Sequence, residues 1–68
     1  MKLAPEFRRR LEAAAAAAAY FDAEAPSYCR IATFWVMSAK RDETRLRRLQ
    51  ILIDCSRRKT RIPSQRRP

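Results

Sequence analysis

A chain of 68 residues holds one domain at most, and its small core needs very regular helix packing, a crosslink or a partner to reach ordinary stability. It contains no glycine, which argues against β-hairpins, Walker loops and dinucleotide-binding turns, and no histidine, which removes the commonest general base and metal ligand. The formal net charge of +9 lies wholly in the second part: residues 1–27 carry four basic and four acidic groups, residues 28–68 twelve basic and three acidic.

Such asymmetry suits a polyanionic partner or an anionic membrane surface. Cys29 and Cys55 are separated by 25 intervening residues with no Cys-x-x-Cys spacing, so they read as two reduced, partly buried thiols, with a disulfide between them left open. No stretch reaches the roughly 18–20 apolar residues of a transmembrane helix. Lys2 and the alanine run imitate a signal peptide, but Arg8, Arg9, Arg10 and Glu12 sit where its apolar region should begin. The expectation is a cytoplasmic chain.

A first helix is predicted from about Pro5 to Ala23. Pro5 suits the first helical turn, and Glu6 complements the positive end of the helix dipole. Phe7, Leu11, Ala14, Ala15, Ala18 and Phe21 fall at helical spacing and form one apolar stripe. The alanines from Ala13 to Ala19 have the best helix propensity available, yet they bury little area, so an unstructured tract remains open.

Pro26 ends that helix and suits the start of a second, predicted over 26–39. Tyr28, Ile31, Ala32, Trp35, Val36 and Ala39 make its buried face in steps of three and four, widened by Phe34 and Met37. This is the most apolar element and is expected in the middle of the fold, with Trp35 as the core anchor.

A third helix is predicted over 42–58. Lys40 and Arg41 favour the carbonyl end of the second helix, and Asp42, Glu43 and Thr44 form the first turn of the next. Leu46, Leu49, Leu52 and Ile53 face the core. Ile62 is expected to fold back as a last apolar contact, and residues 63–68 to form a disordered basic tail.

Chemistry is absent from this inventory. Asp42 and Glu43 are neighbours on a helix and point to different sides, so they are no acid/base pair. Ser27, Ser38, Thr44, Ser56 and the two thiols have no histidine to activate them. No catalytic residue, metal or cofactor is therefore expected. A phosphate-binding ridge is one surface reading: Arg41, Arg45 and Arg48 recur at spacings of four and three, continued by Arg57 and Arg58. A solvated basic face without a partner is the competing one. Membrane binding by the third helix would need the apolar side that the core consumes.

The order Phe21-Asp22, Pro26-Ser27-Tyr28, Phe34-Trp35-Val36, Ser38-Ala39-Lys40, Glu43-Thr44-Arg45, Arg47-Arg48-Leu49 and Ile53 resembles the C-terminal helical domain of the YdeI or OmpD-associated family, also called OmdA or bacteriocin-protection. The likeness spans about 5–62. It implies a small all-α domain, three helices here, that in longer proteins often follows a β domain. A stand-alone member and a fragment are both open, and an apolar face left by a missing domain would favour a homo-oligomer. The resemblance further implies a non-enzymatic role by protein contact in envelope stress or antimicrobial-peptide resistance. It points to Lys40, Glu43, Thr44, Arg45 and Arg48 as the shared polar feature, for interaction or for bracing the corner, with Glu43 holding Lys40 or Arg48. The alternative function is nonspecific nucleic-acid binding through the third helix and tail. Cys29, Asp42 and Arg58-Lys59 depart from the family's pattern, and the lack of a terminal glycine suggests that the third helix runs on into the tail.

Overall fold

The computed structural model describes residues 2–63. Among them are four α-helices and no strand: α1 (Pro5–Ala13), α2 (Ala15–Ala23), α3 (Pro26–Met37) and α4 (Asp42–Arg57). The first predicted helix is thus two. Ala14 leaves the helical region at φ −95° and ψ 81°, and its N–H closes a tight turn on the Leu11 carbonyl at 3.1 Å.

Tertiary closure explains this break better than local propensity does. In one straight helix residues 8 and 22 would stand about 21 Å apart. Here Arg8 grips the Asp22 carboxylate with both terminal nitrogens, at 2.9 and 2.8 Å, because α1 folds back along α2. The reversal brings Phe7 and Leu11 into the same core as Phe21. Burying each large side chain is worth roughly 1.5–3 kcal/mol. A backbone hydrogen bond given up at a solvated break costs only about 1 kcal/mol. An alanine run has no side chains of its own to resist the fold-back. Each short helix also sets its own phase, so Ala17 is fully buried while Ala15, predicted on the stripe, is exposed.

The centre of the fold is the α2–α4 pair: α1 packs on α2 and α3 packs on α4. This corrects the expectation that the Trp35 helix lies in the middle. On α3 the buried row is Tyr28, Ala32 and Val36, in steps of four, and Tyr28 is the largest fully buried side chain. Its ring meets Phe21 edge-on at 6.3 Å. Trp35 is only half-buried and packs against the core from its rim, and Ile31 is 44% exposed, so neither belongs to the buried face predicted for it. On α4 the core residues are Leu49, Leu52 and Ile53, with Cys55 and Ser56 behind them. Leu46 is left 38% exposed, because the residues it faces across a shallow groove, Ala13 and Ala14 of the break, are too small to cover it.

The end of α4 is abrupt, against the expectation that it runs on. Lys59 takes φ 59°, its N–H reaches the Ser56 carbonyl at 3.0 Å, and Thr60 N–H reaches that of Cys55 at 2.9 Å. This pair of bonds is the Schellman motif, normally built around glycine. The turn sends the chain back as a short strap. Arg61 makes two 3.0 Å bonds to Glu24, and Ile62, fully buried, donates its N–H to the Tyr28 hydroxyl at 3.0 Å. The expected fold-back of Ile62 is therefore present. Of the tail expected over 63–68, residues 64–68 lie outside the described residues.

A left-handed conformation costs a residue with a Cβ roughly 1–2 kcal/mol that glycine does not incur. Set against glycine's greater freedom in the unfolded chain, Lys59→Gly is expected to stabilise the fold by about 0.5–1 kcal/mol. Urea denaturation checks it, and a midpoint at or below that of the parent would show that the turn carries no strain.

Candidate functional site

The corner between α3 and α4 gathers most of the polar residues singled out from the sequence. A helix ends with four carbonyls that lack intrahelical partners, and α3 has no glycine with which to turn them away. Two α4 side chains reach back across the corner: Arg48 donates to Trp35 O, one of these carbonyls, at 2.7 Å, and Arg45 Nε donates to the carbonyl of Ala39, in the connection after α3, at 2.8 Å. The Arg48 guanidinium also lies over the Trp35 ring, 5.4 Å from its centroid. A ring stacked under a cation that keeps some hydration sits at the rim of a core, which is where Trp35 is found.

The remaining candidates are arranged differently. Glu43 is exposed and pairs at 3.7 Å with Arg41, not with Lys40 or Arg48 as anticipated. Lys40 is exposed and Thr44 half-buried. Arg45 makes a long 3.5 Å contact with Asp42. Arg57 and Arg58 lie beside Asp54 at the far end of α4, about 24 Å along the helix from Arg41. The proposed ridge of Arg41, Arg45 and Arg48 is therefore not brought together, since one guanidinium turns in to α3 and another to the connection that follows it.

Sequence reasoning missed two places. The first is the outer face of α3, where Phe34 is 60% exposed beside Ile31. Its signal was available: Arg30 and Ser38 stand four residues on either side of Phe34 and place it on a polar face. The second is the strap. Glu24 accepts from Arg61 and, at 2.7 Å, from the Tyr20 hydroxyl, while Arg61 covers the Tyr28 ring at 4.9 Å. These bonds, those from Arg61 first, hold the Glu24 carboxyl down at about 2. No local signal in the sequence joins residues 24 and 61.

The two thiols are not joined to each other. Cys29 donates to the Phe21 carbonyl at 3.2 Å, so it caps the end of α2, and burial pushes its pKa up, away from the reactive thiolate. Among the described residues no three cysteine or carboxylate side chains assemble as a metal set, and no helix is long and apolar enough to cross a membrane.

These features define a class: a small, wholly helical, strongly basic domain whose polar corner is occupied with bracing. Within it, the family model described as bacteriocin-protection, YdeI or OmpD-associated matches residues 1–59, and the chain belongs to that family. No curated protein and no solved structure matches it.

Two predictions test the bracing. Arg48→Met removes a charged hydrogen bond and a cation–π contact, and is expected to lower stability by about 1–3 kcal/mol in urea denaturation. Arg47→Met, on the exposed side of the same helix, should stay within about 0.5 kcal/mol. The strap should respond to acid. A carboxyl whose folded pKa is depressed contributes stability that is complete above its ordinary value and is lost on acidification. The Glu24 contribution therefore fades as pH falls from 4.5 towards about 2. Asp22, also held low by Arg8, adds a contribution of the same sign. Following the Ile62 amide by NMR through an acid titration, with Glu24→Gln for comparison, should show strap release in the parent and a strap already loosened in the variant.

Proposed function

We propose that this protein is a cytoplasmic, non-enzymatic contact module that protects against bacteriocin-type peptides by engaging an acidic partner protein through the outer face of α3. The observation that carries the reading is the pair Ile31 and Phe34, large apolar side chains 44% and 60% exposed on adjacent turns. Aromatic anchors of this kind supply much of the energy of protein interfaces. Arg30 lies on the same face, and Lys40 and Arg41 follow the end of the helix, so the apolar pair is rimmed by positive charge.

Charge also discriminates between modes of protection. A net charge of +9 repels cationic peptides at a distance, which argues for action through a partner over direct capture of the peptide. The same charge on every copy weighs against self-association through this face. The corner residues Arg45 and Arg48 enter the reading as the support that fixes α3, and nucleic-acid binding is less favoured because those two guanidinium groups are engaged.

The test is survival of a bacterial strain lacking the chain, challenged with a bacteriocin and complemented with parent or variant. The parent is expected to restore resistance and Phe34→Asp to lose it, with unchanged helical circular dichroism. Equal protection by both sinks the proposal. Titration against duplex DNA and RNA at two salt concentrations separates the other reading, since phosphate binding weakens steeply with salt.

A further inference from the structure

The N-terminal segment, α1, α2 and α3 line an open cleft of about 390 Å³. Its size falls in the range of small-molecule sites, roughly 300–1,000 Å³. Leu3 and Phe21 give it apolar walls, and Thr33 contributes a hydroxyl. Every charged residue lining it is basic: Lys2, Arg8 and Arg30.

The three cations differ in what they already hold. Arg8 is saturated by Asp22 and Glu12. Lys2 and Arg30 form no ion pair among the described residues. An apolar hollow under two uncompensated cations, with no carboxylate among its lining residues, is complementary to a molecule that has a short hydrocarbon body and one negative head. We infer that this cleft is a binding site for a small aliphatic carboxylate, its head between Lys2 and Arg30 and its tail against Leu3 and Phe21. The thiol of Cys29, already bonded to the Phe21 carbonyl, forms part of the wall and takes no part in chemistry there.

The site is separate from the outer face of α3 proposed above. Ile31 and Phe34 do not line it, and only Arg30 stands near both. Its failure would leave the contact reading intact, and the reverse also holds.

Amide-resolved NMR with sodium octanoate tests the site. The expected result is a contiguous set of shifts at Leu3, Phe21, Cys29 and Thr33. Octanol, which lacks the charge, and acetate, which lacks the tail, should each bind at least about tenfold more weakly. Arg30→Glu should weaken octanoate by about tenfold or more, whereas Arg47→Glu, the same charge change on α4, should alter it by less than about twofold. Lys2→Glu supplies a second variant should Arg30→Glu perturb the fold. Shifts scattered over the basic surface, equal losses in the α4 variant, or octanol binding as tightly as octanoate would each overturn the assignment.

Discussion

A chain without glycine must close every helix end by other means, and most of this structure follows from that constraint. Helix ends leave carbonyls that must be bonded, and a residue with a Cβ resists the left-handed turn that usually diverts the backbone. Four solutions appear in 62 described residues. A break at Ala14 closes on Leu11, the Cys29 thiol bonds to Phe21 O, Arg48 bonds to Trp35 O at the end of α3, and Lys59 accepts a positive φ. One of the four, Arg48, is a group that the sequence also offered for ligand binding. The polar residues of this domain have structural duties before any other.

What was legible in the sequence divides along the same line. Pro26 and the acidic pair Asp42-Glu43 marked the starts of α3 and α4 correctly, because their effects are local: a fixed φ, and a charge of the right sign on a helix dipole. Ile62 was also legible as an isolated apolar residue in a basic tract. The family could be read from Trp35, Ser38-Ala39-Lys40 and Glu43-Thr44-Arg45 in fixed register, and the match over residues 1–59 bears this out. The break at Ala14 was not legible, since nothing in an alanine run announces an ion pair fourteen residues apart. Trp35 misled because size suggests depth, and its place at the rim is set by an arginine on another helix.

The candidate site shows a similar division. The corner was located, yet the partners within it were not: Glu43 turned to Arg41, and the basic ridge came apart when Arg45 and Arg48 faced inward. The outer face of α3 and the cleft beside it depend on which turns of a uniformly apolar helix meet α4. Periodicity gives the relative phase of Tyr28, Ala32 and Val36, but the choice of that row over the one containing Ile31 and Phe34 belongs to packing.

The strap has a consequence in time. Ile62 and Tyr28 are 34 residues apart and Arg61 and Glu24 are 37, whereas α1 and α2 meet across 14. Shorter loops close at lower entropic cost, and during synthesis the earlier segments emerge first. The helical hairpin of α1 and α2 can therefore form while Tyr28 still exposes its hydroxyl, and the three-helix contact around α4 comes next. The last segment can lock onto Glu24 only once Lys59 has turned the chain.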